Sequence, residues 1–406
     1  MGKGRIRISL LTRIAIAIVL GVGLGFVFPN WLTQVFVTFN YVFSQFLGFM
    51  IPLIIVGLIT PAIAQLGRGA GKWLAITAAL AYVSTMFAGA LALVTGMLTF
   101  PALLGTQTAG EAANPDEALL APFFKVDMPP VLGVMSALIL AFVLGVGLTI
   151  TNGTTLYQGF VEFREIVNRV IATVLIPLLP LYIFGIILNM TVAGQVFQVI
   201  GTFLSIVVIV FVLTVLLLLV QYAIAGALTK RNPLRMLRHM MPAYATALGT
   251  SSSAATIPVT LRQTIKMGVS EPVASFVIPL CATVHLAGST LKITSFAIAI
   301  MVISGIQINV GLMIGFVLML GITMVAAPGV PGGAIMAAAG LLSSMLGFTE
   351  PQVGLMIATY IAIDSFGTAT NVTGDGAIAA IIDKLSAGRV GDTPPPLPSE
   401  SAAQVA

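Results

Sequence analysis

Asp364, Thr368, Asn371 and Asp375 follow one another at spacings of four, three and four in the stretch IDSFGTATNVTGDG, and no basic residue follows until Lys384. At about 100° per residue these positions share one face of a helix. That face would present a carboxylate, a hydroxyl, an amide and a second carboxylate in a row. Carboxylates suit an ammonium group or a hard cation, while amide and hydroxyl donors suit a carboxylate. An amino-acid zwitterion together with a small cation would satisfy all four.

A second polar pair, His285 and Lys292, lies seven residues apart in CATVHLAGSTLKITS, nearly on one face. A histidine at an apolar position is more often a hydrogen-bonded structural residue than a ligand. A lysine in such surroundings must snorkel, pair with a carboxylate or lie in a cavity. Paired with Asp364 or Asp375, Lys292 would be a fixed cation where a transporter otherwise binds a mobile one. Intramembrane aspartyl proteases also use two membrane aspartates, but a dyad sharing a proton must nearly touch. On one helix, Asp364 and Asp375 would be separated by about 16 Å, and VTGD lacks the first glycine of the protease signature GxGD. With no HExxH, serine-nucleophile elbow or phosphate-binding loop, an enzyme is not expected. A plain channel fits the polar face less well than a binding cycle does.

The elements that carry these residues must be membrane helices. Of 406 residues, 58% are apolar and 8% charged, against roughly 25% charged in soluble domains. Runs such as VIGTFLSIVVIVFVLTVLLLLVQYAIAGAL exceed the roughly 20 residues that cross a hydrocarbon core. The single cysteine, Cys281, excludes an internal disulfide and reads first as a small packing residue. MGKGRIRISLLTR leads into an apolar block too long for a signal h-region, so no cleavable signal is expected.

Spanning helices are expected near 10–29, 40–64, 74–100, 130–152, 165–190 and 196–228. Basic residues fill the N-terminus (Lys3, Arg5, Arg7, Arg13) and the second (Arg68, Lys72), fourth (Arg164, Arg169) and sixth (Lys230, Arg231, Arg235, Arg238) connections. The third holds Glu111, Asp116, Glu117 and Asp127 against Lys125. The positive-inside rule then puts both termini in the cytoplasm of a multi-pass cell-membrane protein. The net charge of +5 is explained by topology, and no nucleic-acid partner is expected. The Pro/Ser-rich tail, 386–406, reads as disordered.

After residue 240 the regularity fails. ATALGTSSSAATIPVTLRQTIKMG is broken by a serine run and Pro258, and MVAAPGVPGGAIMAAAGLL by Pro328, Gly329, Pro331, Gly332 and Gly333. One long helix is expected after each, near 272–304 and 350–384. Non-helical backbone at membrane depth is tolerated where it is buried or lines a cavity. Paired Gly/Pro-broken segments point to a transporter's substrate site.

SSSAATIPVT, PLCATVHLAGS, GVPGG and DSFGTATNVTGD together resemble the dicarboxylate/amino acid:cation symporter family, over about residues 10–385. The resemblance implies eight transmembrane helices, two re-entrant hairpins, a homotrimer in lipid and an elevator motion. Residues 1–240 would be mainly scaffold, with helices 3 and 6 joining the transport unit, and 241–385 the transport core. Asp364 is implied to bind the substrate ammonium, and Asn371 with Ser252, Ser253 and nearby backbone its α-carboxylate. Ser289, Gly367 and Thr368, and Val330 and Gly333 by their backbone, would line the pocket. Asp375 would bind Na+, with carbonyls of Cys281, His285 and Asn371. A second Na+ would use carbonyls of Thr283, Met324, Val325 and Ala327, and Tyr82 and Thr85 would border a further cation site. No organic cofactor is implied.

The departures matter as much. Acidic-substrate members carry an arginine one residue before the threonine, where this chain has Gly367, and Ser251 stands where an arginine often precedes the serine run. In the family's NMDGT stretch this chain has HLAGS, so Ala287 removes a sodium-binding carboxylate. These features look most like the bacterial sodium/serine–threonine symporters and imply import of serine, threonine or alanine. An acidic amino acid or dicarboxylate, with proton or sodium-independent coupling through His285 or Lys292, is the alternative.

Overall fold

The computed structural model describes residues 10–68, 72–104, 119–151, 153–194, 196–325, 327 and 331–386, and their regular structure is all helical. Lys3, Arg5, Arg7, Glu111, Asp116, Glu117, Val330 and the tail from 387 lie outside the described residues.

Six helical stretches come first. They are α1 Leu10–Gly25, α2 Asn30–Arg68, α3 Lys72–Leu104, α4 Val134–Thr151, then α5 Thr154–Val170 running through a π-helical turn into α6 Ile176–Val192, and α7 Val196–Thr229. Their placement follows the apolar blocks; α2, α3, the α5–α6 stretch and α7 run past the expected ends, while α1 and α4 stop short of them. α2 starts ten residues before its expected position because NWLTQVFVTF is helical although only moderately apolar. The amphipathic TTLYQGFVEFREIVNRV likewise adds α5 ahead of the apolar α6.

The rest of the chain pairs short helices: α8 Pro233–Thr250 with α9 Ser253–Lys266, α10 Glu271–Val284 with α11 Ala287–Ile303, α12 Val310–Val325 with α13 Gly333–Leu346, and α14 Glu350–Ala362 with α15 Asp364–Ser386. Both hairpins therefore form helix–turn–helix units whose arms pack together. The turn between α8 and α9 puts Ser251 in the left-handed region (φ 49°), and the Ser252 hydroxyl caps α9 by accepting from Ala255 N at 3.3 Å.

Neither of the long helices expected near 272–304 and 350–384 is continuous, which departs from the sequence expectation. The first breaks at His285, whose backbone is extended (φ −108°, ψ 96°). The second breaks at Ile363, where α14 and α15 meet at a 62° bend. Apolar periodicity continues across both breaks, so it gives no sign of them. The breaks are held by tertiary contacts of the residues beside them.

Among the described residues, five stretches are long and apolar enough to cross a membrane, or six with the bent α14–α15 pair taken as one. Their outer faces expose large apolar side chains such as Val19 (70%), Leu98 (75%) and Ile150 (75%). Such a surface needs lipid or another subunit around it. The molecule is a multi-pass membrane protein.

The fold surrounds α15. It packs on α7, α8, α10 and α11, and all but a few of its residues are buried. Glycine makes its crossing with α11 possible: a Cβ on Gly288 would lie 2.7 Å from the Gly367 carbonyl oxygen. Small residues at helix crossings let backbones approach in this way.

Candidate functional site

The polar face of α15 lies against the α10–α11 break. Starting at its N-terminal end, Asp364 Oδ2 accepts a 2.8 Å hydrogen bond from Gly332 N, at the tip between α12 and α13. Gly332 takes φ 76°, a conformation open to glycine at little cost, and this turns its N–H onto the carboxylate. The other oxygen, Oδ1, lies 3.6 Å from Lys292 Nζ. Lys292 also donates to the Ile363 carbonyl at 3.2 Å and sits 3.9 Å from the centre of the Tyr360 ring. Thr368 donates back to the Asp364 carbonyl at 3.2 Å.

One turn on, Asn371 is fixed by the break itself. Its Oδ1 accepts from Gly288 N at 2.8 Å, a donor freed because α11 begins only at Ala287. Its amide donates to Ser289 Oγ at 3.2 Å, and Tyr360 OH donates to the same oxygen at 2.8 Å. Gly333 is buried at the first turn of α13. Asp364, Ser289, Thr368 and Asn371 are thus brought together, with Lys292 and Gly367 beside them. A Cβ on Gly367 would overlap Lys292 Cε and Nζ. Ser252 and Ser253 stand at the α8–α9 tip, a structural cap position, and Val330 is not described.

At its far end the face meets a different partner. His285 Nδ1 lies 2.8 Å from Asp375 Oδ1, and both are buried. The ring's Nε2 lies 3.0 Å from Ser84 Oγ on α3, which accepts from Gln221 Nε2 on α7 at 2.8 Å. Gln221 donates to Ser84, and a ring carrying its proton on Nδ1 would donate to the carboxylate while accepting the serine hydroxyl at Nε2.

Serine, histidine and carboxylate in this order look like a nucleophile relay. However, Ser84 lies within α3, where backbone N–H groups are used by the helix, so they offer no oxyanion pocket.

Most of the remaining candidate cation ligands have a hydrogen bond of their own. The Cys281 carbonyl accepts from His285 N at 2.9 Å, and the Met324 carbonyl from Ala327 N at 3.1 Å. Thr283 donates its hydroxyl to the Leu280 carbonyl at 2.8 Å, and Val325 ends α12. Tyr82 OH donates to the Leu318 carbonyl at 3.3 Å and Thr85 to the Ala81 carbonyl at 2.9 Å. On α3 it is Ser84, between them, that reaches the cluster.

Sequence reading missed Ser84, Gln221, Tyr360 and Tyr222, whose hydroxyl donates to the Thr373 carbonyl at 2.7 Å. Gln221 alone carried a signal, as an amide inside the apolar run LLLLVQYAIAGAL.

Broken helices meeting around buried polar groups inside a multi-pass bundle define a membrane transporter rather than an enzyme. Residues 10–385 match the model of the sodium:dicarboxylate symporter family, and the chain belongs to that family. It is 30% identical over 395 residues to the serine/threonine transporter SstT of Acinetobacter baumannii strain AYE, covering 93% of this chain and 97% of the relative. The protein of the same name from Acinetobacter baylyi is 26% identical over 397 residues, covering 94% and 98%.

Proposed function

We propose that this protein is a sodium-coupled symporter of the cell membrane that imports a small neutral amino acid, serine or threonine first and alanine next. The observation that carries this reading is the closed polar cluster of Asp364, Lys292, Asn371 and Ser289, in a chain aligned nearly end to end with serine/threonine transporters. The charges of Asp364 and Lys292 already cancel. A zwitterion with an uncharged side chain adds no net charge, whereas a second carboxylate would lack a partner.

Asp364 receives the substrate ammonium, and Asn371 with the Ser252–Ser253 tip receives the carboxylate. Ser289, Thr368, Gly367, Val330 and Gly333 shape the pocket. Since Asp364 is 6% and Asn371 3% exposed, entry requires the α12–α13 tip to lift from Asp364. Asp375 belongs to the sodium site with carbonyls of Cys281, His285 and Asn371, and binding there exchanges the imidazole contact for the ion. The carbonyls of Thr283, Met324, Val325 and Ala327 form a second site, and Tyr82 and Thr85 border a third.

The assembly is a homotrimer of eight spanning helices and two re-entrant hairpins per chain, its termini cytoplasmic. Residues 241–385, with α3 and α7, move as an elevator against the rest. A second reading is favoured by one observation: the Lys292 ammonium fills the space beside Gly367, where acidic-substrate relatives carry arginine. On that reading the substrate is a dicarboxylate or acidic amino acid, with coupling through protons.

Uptake of labelled amino acids and dicarboxylates by proteoliposomes, under sodium, proton or no gradient, separates the two. Sodium-driven accumulation of serine, lost at least tenfold in Asp364→Asn, is expected. Uptake of dicarboxylates alone would overturn the substrate assignment.

A further inference from the structure

We infer that Lys292 is an internal counter-ion. It takes the place of the substrate ammonium at Asp364 in the empty transporter, so that the carrier returns across the membrane with no bare carboxylate. The inference rests on the proposed transport function and on Asp364 as the ammonium partner.

Both members of the pair are out of water, with side-chain exposures of 1% for Lys292 and 9% for Asp364. A lone ionised carboxylate in that setting is costly, and intramembrane charges accordingly pair. In the loaded state the substrate ammonium supplies the partner. In the empty state Lys292 is the one cation among the described residues that pairs with Asp364, while Gly332 N and the Tyr360 hydroxyl are neutral donors.

The geometry also lets Lys292 yield. Its distance of 3.6 Å from Oδ1 exceeds that of a tight charge-assisted hydrogen bond. Its shorter bond, 3.2 Å, goes to the Ile363 carbonyl, and its ammonium rests on the Tyr360 ring at 3.9 Å. These anchors belong to the end of α14, where helix carbonyls favour a cation, while Asp364 opens α15, whose free N–H groups favour an anion. The 62° bend thus gives each charge its own support. An arriving ammonium displaces Lys292 from Oδ1 without stripping it of partners. Gly367 keeps the space for the lysine, since any Cβ there would overlap its terminal atoms.

The test compares two transport modes in proteoliposomes, using labelled L-serine. Net uptake into vesicles free of amino acid requires the empty carrier to return. Exchange into vesicles loaded with unlabelled serine does not. For Lys292→Met the ratio of net uptake to exchange should fall at least tenfold, whatever the change in the two absolute rates. Lys292→Arg, which keeps the charge, should hold the wild-type ratio even where both rates drop.

Equal loss of both modes in Lys292→Met, an unchanged ratio, or a ratio that falls as far in Lys292→Arg overturns the inference. A Lys292→Met protein too unstable to reconstitute is replaced by Lys292→Gln under the same criterion. Wild-type vesicles that neither accumulate nor exchange serine overturn the proposed function, and the inference with it. That outcome is distinct because it appears before any variant is compared.

Discussion

Asp375 Oδ1 lies 2.8 Å from His285 Nδ1, so the carboxylate expected to hold a cation is held by an imidazole. The contact ties α15 to the break between α10 and α11. Ser84 and Gln221 extend it to α3 and α7. A break in one helix and a carboxylate on another are in this way parts of one buried polar unit.

The direction of that hydrogen-bond chain makes an asymmetric prediction. Ser84→Ala leaves the Gln221 amide and His285 Nε2 without their partner, a loss of about 1–3 kcal/mol. Gln221→Leu leaves the serine hydroxyl still donating to the ring. It also removes the Gln221 Oε1 atom, which is buried with no hydrogen-bond partner. Thermal unfolding in detergent should show Ser84→Ala clearly destabilised and Gln221→Leu near wild type or above it. The reverse order would contradict the assigned donors.

Sodium dependence follows from the role proposed for Asp375. In Asp375→Asn the sodium concentration for half-maximal serine uptake should rise at least tenfold, while serine binding at saturating sodium persists. An unchanged sodium dependence would remove Asp375 from the ion site.

Gly367 and Lys292 should couple. Gly367→Ala puts its Cβ on the lysine's terminal atoms, which must shift and give up part of their contact with Asp364, at a cost of up to about 1–3 kcal/mol. In a Lys292→Ala background the same substitution should cost much less, giving a non-additive double-mutant cycle. Additive costs would mean that the two positions do not share space.

The elevator reading can be tested at the contact between α13 and α2. A Cβ on Gly340 would lie 3.5 Å from Ile51 Cβ, within the separation that a disulfide bridges. With the single native cysteine removed as Cys281→Ser, Ile51→Cys with Gly340→Cys should cross-link under oxidation. Transport should then stop and return on reduction. Full cross-linking with undiminished uptake would show that these helices do not slide past each other.

The four-three-four spacing of Asp364, Thr368, Asn371 and Asp375 was legible because helical periodicity alone puts such residues on one face. The two hairpins were legible from Gly, Pro and Ser interruptions. The six early helices followed from apolar length, though the starts of α2 and α5 did not, since polar helical turns carry no hydropathy signal, nor did the end of α1, since the apolar FVFP after it is not helical. Lys292 was recognisable as an oddity because lysine is rare at such positions. Its choice between Asp364 and Asp375 was not, because both lie on the face that α11 meets.

Composition and pattern by themselves determined that this chain lives in a membrane, that its second half is built of broken segments, and which side chains there are too polar to be fillers. These properties are local, set by burial cost and by the period of a helix. Only the tertiary structure decided that the helices break at His285 and Ile363, that imidazole pairs with Asp375 and ammonium with Asp364, and that Ser84, Gln221 and Tyr360 complete the cluster. Those outcomes depend on which helices cross and how closely, and a buried polar group takes whichever partner that crossing brings within hydrogen-bonding distance.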